Sequence, residues 1–180
     1  MTKPFISKNN PFGEEEVNGE IFEYKYFLPK FWLTWFFLGL SCLIAYLPKF
    51  LRSVLGELTG KILYTFGKSK KDIVEINLKI TFDELSAEDR VKLSRSFFRN
   101  LGHMYTNLPL LWWRRDSALQ KIIDKKGLNL IDNHLKKDQS IILLAPHTLA
   151  LDFGGRALSR YNLLSMYKPF KNELLNWFIG

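Results

Sequence analysis

The sequence has 180 residues, 47% of them apolar and 15% aromatic, and a net charge of +8. This length allows one domain with a core plus a further segment, and the basic balance favours an anionic partner: lipid, nucleic acid or acidic protein. The single cysteine, Cys42, excludes an intramolecular disulfide, and three histidines exclude a histidine-rich metal site. Neither a metal nor another cofactor is expected.

Residues 1–24 are predicted to form a flexible arm, because they are mostly polar and contain turn-forming residues without helical or strand periodicity. They do not resemble a secretory signal, since no basic region is followed directly by an apolar core.

A membrane anchor is predicted over residues 25–50. Its uncharged stretch, residues 31–47, is close to the lower limit of about 17 residues for a spanning helix. A crossing helix, an interfacial helix and a buried core helix are the three interpretations. More Lys and Arg residues follow the stretch than precede it, which predicts that the remaining chain lies on the cytoplasmic side. The aromatic side chains that suit the two membrane interfaces are Trp32, Trp35, Phe36 and Tyr46.

Residues 51–135 are predicted to form a helical region. Ser86 begins its most regular helix, and the Ser86 hydroxyl is expected to accept a bond from the Asp89 backbone N–H. His103 in that helix is interpreted as structural. The aromatic and arginine cluster at residues 112–115 has two interpretations, a ligand-binding cluster or the edge of a helix packed against its neighbour.

The fold class predicted for the whole chain is α/β. From residue 136 onward the pattern changes to strand, helix, strand and helix, which is typical of a right-handed unit with parallel strands. Residues 136–180 are therefore predicted to begin a parallel-sheet domain, and the sequence is expected to stop inside it. The predicted elements are a strand at 140–145, a helix at 148–160 with glycines that allow close packing, a strand at 161–167 and a helix from 171.

His147 and Asp152 are the candidate catalytic residues. His147 follows the first predicted strand at the edge where open α/β sheets bind ligands, and Asp152 lies on the following helix. The carboxylate would orient the imidazole, which would deprotonate a hydroxyl that attacks an activated acyl carbonyl. No suitable serine or cysteine accompanies the pair, so direct transfer is favoured over covalent catalysis. The spacing alone is common, and a structural histidine is the alternative interpretation.

The stretch from Ile141 to Arg156, with its His-x4-Asp pattern, resembles the His-x4-Asp/Glu block of bacterial lipid A late acyltransferases, the lauroyl/myristoyl transferase family. The resemblance runs in family order from about Leu28 to the last residue. Its other blocks are Leu28–Trp32, Asn77–Leu78 with Phe82–Leu85, Gly127–Leu130, and Met166–Pro169 with Asn172, Leu174, Leu175 and Trp177.

This resemblance implies an enzyme of the bacterial inner membrane with a catalytic domain of the glycerolipid-acyltransferase type on the cytoplasmic side. It would move a fatty acyl chain from acyl carrier protein to a hydroxyl of a lipid A precursor, with His147 as general base and Asp152 as its acidic partner. The family usually carries Glu at the second position. Substrate-binding roles are implied for Lys168, where the family usually has Arg, and for Arg156 and Asn172.

Two other hypotheses remain beside this enzyme. Family members continue well beyond Gly180, so the chain is also interpreted as a catalytically inactive, membrane-binding fragment of such an enzyme. Nucleic-acid binding rests only on charge and on the cluster at residues 112–115, and no groove-reading motif supports it. No nucleic acid is therefore expected among the partners.

Overall fold

The computed structural model describes residues 22–163 and 170–179, and the regular elements in these two ranges are helices. Two 3-10 turns, Tyr24–Phe27 and Pro29–Phe31, lead into helix α1, Trp32–Tyr46. The other helices are α2 (Lys49–Phe66), α3 (Lys68–Thr81), α4 (Ala87–Asn107), α5 (Leu110–Trp113), α6 (Asp116–Leu119), α7 (Leu128–Leu135), α8 (Leu151–Ala157) and α9 (Glu173–Ile179).

Helix α4 begins as the sequence predicts. The Ser86 hydroxyl accepts a hydrogen bond from the Asp89 backbone N–H at 3.1 Å, and two acidic residues stand in the first turn, where the helix dipole favours negative charge. The buried residues of α4 recur every four positions and therefore form one face, which packs mainly against α2. These residues are Ser94, Phe98, Gly102 and Thr106.

Glycine allows α2 and α4 to approach closely. A Cβ atom on Gly102 would lie 2.2 Å from the Gly56 carbonyl oxygen and 2.4 Å from the Gly60 nitrogen, so no larger residue fits without moving the helices apart. Beside this crossing, His103 Nε2 lies 3.1 Å from a carboxylate oxygen of Glu57. The interpretation of His103 as a structural residue is confirmed by this contact between the two helices.

Helix α1 has one covered side and one exposed side. Its covered side contributes Leu38 to a cluster with Tyr26, Phe31 and Leu174, which brings α9 against the start of α1. Nearer its end, Ala45 packs with residues of α5 and α6. Large apolar side chains fill the exposed side. They are Trp32, Leu33, Phe36, Phe37, Leu40 and Leu43.

The segment Pro29–Tyr46 is long and apolar enough to cross a membrane by length and composition. Of the 18 residues in this segment, 17% are buried against the rest of the described chain. A core helix would be mostly buried, so this exposure disfavours the core interpretation offered by the sequence.

The predicted strand at residues 140–145 is not formed in the described structure. Ile142 and Leu144 are 91% and 94% exposed, and the segment has no regular backbone pairing there. A strand is stabilised by hydrogen bonds to a neighbouring strand, and most of the predicted neighbour, residues 161–167, lies outside the described residues. The parallel sheet therefore stays a prediction.

The helix predicted over residues 148–160 is shorter in the structure, where α8 runs from Leu151 to Ala157. The expected close packing at Gly154 and Gly155 is also wrong for the described residues, because a Cβ on either would meet no atom within 4 Å. In the part of the chain that the structure describes, no sheet covers α8, so its glycines meet no neighbouring element.

Candidate functional site

His147 lies in the irregular segment 140–148, shortly before the turn that leads into α8. The Thr148 backbone N–H donates to the Pro146 carbonyl at 2.9 Å, and the Leu151 N–H donates to the Thr148 carbonyl at 3.1 Å. These bonds turn the chain into α8 directly after His147. Asp152 follows in the first turn of that helix, and both side chains are exposed to solvent.

No hydrogen bond or ion pair joins His147 to Asp152 within the described residues. Both side chains are exposed, and among the described residues no hydrogen bond or ion pair fixes their relative orientation. The predicted pairing of imidazole and carboxylate therefore stays a prediction.

Helix α8 is held in place by side chains that contact α6 and α7. The Arg156 guanidinium donates to the Asp116 carboxylate of α6, and its side chain is 18% exposed. Beyond the end of α8, Arg160 Nη2 lies 2.9 and 2.8 Å from the two Asp132 carboxylate oxygens of α7. These bonds fix the distal end of α8, whereas its first turn with Asp152 remains open.

The Tyr161 hydroxyl completes the contact between α7 and the residues after α8. It donates to Asp132 at 2.7 Å, and this bond is the largest cause that lowers the pKa of the carboxyl group, with the Arg160 guanidinium adding to it. Sequence reasoning missed this cluster. Its partners are 28 and 29 residues apart, so no local spacing marks them.

The three substrate-binding candidates are not brought together in the described structure. Arg156 contacts Asp116, whereas Asn172 contacts the start of α1 through its side-chain N–H, which donates to the Thr34 hydroxyl at 2.8 Å. The Asn172 side-chain oxygen accepts from the Leu175 backbone N–H at 3.1 Å and so caps α9. Lys168 lies outside the described residues.

The four anchor candidates divide between the two sides of α1. Trp32, Phe36 and Tyr46 are 60–64% exposed, whereas Trp35 is half-buried and its indole N–H donates to the Tyr26 carbonyl at 2.9 Å. The exposed Trp32 and Tyr46 also bind backbone carbonyls of this chain through their polar atoms. Their polar groups are thus satisfied by the protein, and their rings remain available to an apolar partner.

The aromatic and arginine cluster at residues 112–115 packs against α1. The Trp113 indole N–H donates to the Ser41 hydroxyl at 2.8 Å, and the Arg114 guanidinium lies 5.1 Å from the centre of the Tyr46 ring. The second interpretation of this cluster, the edge of a helix packed against its neighbour, is therefore confirmed.

A groove of about 530 Å³ lies between α2 and α4, and its lining residues all belong to these two helices. It is lined by more cations than carboxylates, and neither His147 nor Asp152 contributes to its walls. The groove is thus not the site at the start of α8. Its charged lining residues are Glu57, Lys61, Lys92, Arg95 and Arg99.

The fold and the site together define a helical, aromatic-rich protein with a His-x4-Asp motif at the entry to a short helix. The sequence profile of the family described as bacterial lipid A biosynthesis acyltransferase matches residues 20–180. The chain belongs to this family, which confirms the resemblance found in the sequence.

Curated relatives of this chain differ in the acyl group that they are named for. This chain is 30% identical over 157 residues to the lipid A biosynthesis palmitoleoyltransferase of Escherichia coli K12, and the match covers 87% of this chain and 51% of the relative. It is 28% identical to the lauroyltransferase of the same organism, covering 83% and 49% of the two chains. The chain thus spans about half the length of these curated relatives. No solved structure matches it.

Proposed function

We propose that this chain carries the catalytic pair of an enzyme that transfers a fatty acyl group from acyl carrier protein to a hydroxyl of a lipid A precursor. The observation that carries the proposal is the His147-x4-Asp152 motif, placed at the entry to α8 in a chain whose family match extends over residues 20–180. Both side chains are exposed, so a large lipid substrate has access to them.

In the proposed reaction His147 acts as the general base. A neutral imidazole nitrogen takes the proton of the acceptor hydroxyl while the oxygen attacks the thioester carbonyl carbon of the donor. A carbon–oxygen bond forms, the carbon–sulfur bond breaks, and the proton passes from the imidazolium to the thiolate of the carrier. Asp152 would accept a bond from the other ring N–H and stabilise the imidazolium, once the turn between the two residues brings them together.

The proposed location is the cytoplasmic side of the bacterial inner membrane. The exposed apolar side of α1 supports attachment, and the greater number of Lys and Arg residues after α1 supports the cytoplasmic side. Within this arrangement Lys168, Arg156 and Asn172 are proposed to bind the substrates, and residues 136–180 are proposed to begin the catalytic α/β domain. Binding by Arg156 would compete with its contact to Asp116.

The experiment that tests this function offers the purified chain, in detergent, an acyl chain on acyl carrier protein together with a lipid A precursor. Mass spectrometry is expected to detect the precursor with one added acyl group. Two controls replace a single component each: a precursor that lacks the free hydroxyl, and the same acyl chain on coenzyme A. Equal product from the hydroxyl-free precursor would contradict the proposed acceptor, and equal product from coenzyme A would contradict the need for the carrier protein.

A second candidate function is membrane binding without acyl transfer. The observation that favours it is that His147 and Asp152 form no bond with each other among the described residues. The acyl-transfer assay, combined with sedimentation of the chain with membrane vesicles, distinguishes the candidates, because a chain that sediments with the vesicles but yields no acylated product supports the second one.

A further inference from the structure

Helix α1 is covered on one side along its whole length. Thr34, Trp35, Leu38, Ser41 and Ala45 are buried or half-buried. They recur at intervals of three and four residues and therefore share one helical face. The two polar residues among them are both hydrogen bonded to this chain, Thr34 to Asn172 and Ser41 to Trp113. The opposite face is exposed and apolar over the same length.

The start of α1 is fastened to α9. Lys25, which precedes α1, lies 2.9 Å from the Glu173 carboxylate of α9 and also bonds the Glu23 carboxylate. The bond to Glu23 is the largest cause that raises the pKa of Lys25 well above its usual range, and the bond to Glu173 adds to it. Leu174 of α9 is fully buried against Tyr26, Phe31 and the first half of α1. Glu173 and the start of α1 therefore lie at the same depth.

The end of α1 is fastened to α5 and α6. The Tyr46 hydroxyl donates to the Trp113 carbonyl at 3.0 Å. Ala45 is fully buried in a cluster with Leu110 of α5 and Leu119 of α6. The Trp113 ring contacts Phe178 of α9, with ring centres 5.0 Å apart, so the two attachments belong to one continuous layer beneath α1.

A helix attached in this way cannot cross a bilayer alone. If α1 crossed, α9 at its start and α6 at its end would lie at opposite membrane surfaces. The chain between α6 and α9 would then have to cross back, although the one candidate span among the described residues is the segment that contains α1.

We infer that α1 lies in the plane of the membrane and embeds its exposed face in one leaflet, with a lipid bilayer as its partner. Lys30 precedes the helix and Lys49 follows it, so both ends carry a cation that fits anionic headgroups at the same membrane surface. The exposed face between them is built of Trp, Phe and Leu side chains that fit the boundary between headgroups and acyl chains.

Cysteine labelling tests this orientation on the full chain in bacterial membranes. Cys42→Ala removes the native thiol, and Tyr24→Cys or Ser53→Cys then places one thiol before or after α1, at residues that are exposed in the structure. A maleimide that cannot cross membranes is expected to label both variants in inside-out vesicles and neither in intact spheroplasts. Labelling of the two variants from opposite sides would overturn the inference and establish a crossing helix.

A third variant, Leu43→Cys in the same background, tests what covers the exposed face, because Leu43 is 68% exposed there. A membrane-soluble maleimide is expected to label the introduced thiol of this variant, whereas the maleimide that cannot cross membranes is expected not to label it. A disulfide between two copies at this position would overturn the inference in favour of a dimer contact. The inference rests on the proposed membrane attachment but not on acyl transfer, and labelling has no activity readout, so the two can fail separately.

Discussion

The Asp132 carboxylate illustrates how one side chain positions the candidate site. It joins α7 to the residues after α8 through Tyr161 and Arg160, at distances of 2.7 to 2.9 Å. These bonds favour the ionised carboxylate, so the folded-state pKa of Asp132 lies below its ordinary value. The stability that they contribute is present above the ordinary pKa of about 3.9 and is lost as the pH falls through the folded-state value.

Tyr161→Phe removes the bond that contributes most to this shift. The pKa of Asp132 is expected to rise towards its ordinary value, and the acid-dependent loss of unfolding free energy is expected to become smaller. An NMR titration of the Asp132 carboxyl carbon and denaturation at several pH values measure the two effects. Tyr24→Phe is the matched control, since Tyr24 is 88% exposed. An unchanged Asp132 pKa in Tyr161→Phe would contradict the proposed cause.

At the residue scale, the sequence revealed local patterns and missed distant ones. Ser86 and Asp89 are three residues apart, and their predicted bond is present at 3.1 Å. The spacing of His147 and Asp152 is also local, and the catalytic pair that it predicts stays a prediction. Arg156 and Asp116 are 40 residues apart, and their contact depends on how α6 and α8 pack, which no local pattern encodes.

At the element scale, the crossing of α2 and α4 depends on Gly102. Gly102→Ala is expected to lower the free energy of unfolding by about 1–3 kcal/mol, because its Cβ would overlap the backbone of Gly56 and Gly60. Thermal or urea unfolding in detergent, followed by circular dichroism, measures the change.

Gly39→Ala in α1 is the control for this substitution. A Cβ at Gly39 meets no atom within 4 Å, and alanine is the better helix former by about 1 kcal/mol. The control is therefore expected to be neutral or stabilising. Equal effects of the two substitutions would contradict a close helix crossing at Gly102.

The irregular segment 140–145 gives a second prediction at this scale. Because it is unpaired and exposed in the structure, its amide hydrogens are expected to exchange quickly, at rates near those of an unfolded chain. Helix α4 in the same sample, which is hydrogen bonded along its length and buried on one face, is the internal standard for slow exchange. Hydrogen–deuterium exchange followed by mass spectrometry measures both segments. Slow exchange over 140–145 would show that the predicted strand is paired.

Helices were more predictable than the sheet for a physical reason. A helix satisfies its hydrogen bonds within one segment, so the Ser86 cap was sufficient to predict where α4 begins. A strand needs a partner that the local sequence does not supply. The side of α1 that packs against the protein was not predicted, because the whole run is apolar. Thr34 and Ser41, which are seven residues apart and hydrogen bonded to this chain, lie on that side.

At the scale of the whole molecule, apolar contact is expected to dominate membrane attachment over charge. The net charge of +8 favours anionic lipid, but such attraction is screened by salt, whereas burial of the exposed side of α1 is not. At 1 M NaCl the Debye length is about 3 Å, so attraction between surface charges is screened. Membranes carrying the chain are therefore expected to retain it in 1 M NaCl and to release it in detergent. Release by salt alone, measured by sedimentation, would contradict attachment through α1.

The acyl group that the enzyme would transfer is not assigned by similarity. The relatives named for palmitoleoyl and lauroyl transfer are 30% and 28% identical to this chain, so identity does not separate them. The family itself was predictable, because several blocks occur in order along the chain and each is local in sequence. We expect the length of the transferred acyl chain to follow from the depth of its pocket, which depends on packing between distant elements and not on a local pattern.

The most direct test of the central claim compares acyl transfer by His147→Ala and His134→Ala. Both histidines are exposed, but His134 bonds Gln139 at 2.8 Å and has no role in the proposed reaction. Loss of the general base is expected to lower the rate by about 10²-fold or more in His147→Ala, while His134→Ala retains the rate of the unmodified chain. Equal rates in His147→Ala and the unmodified chain would contradict the assignment of His147 as the catalytic base.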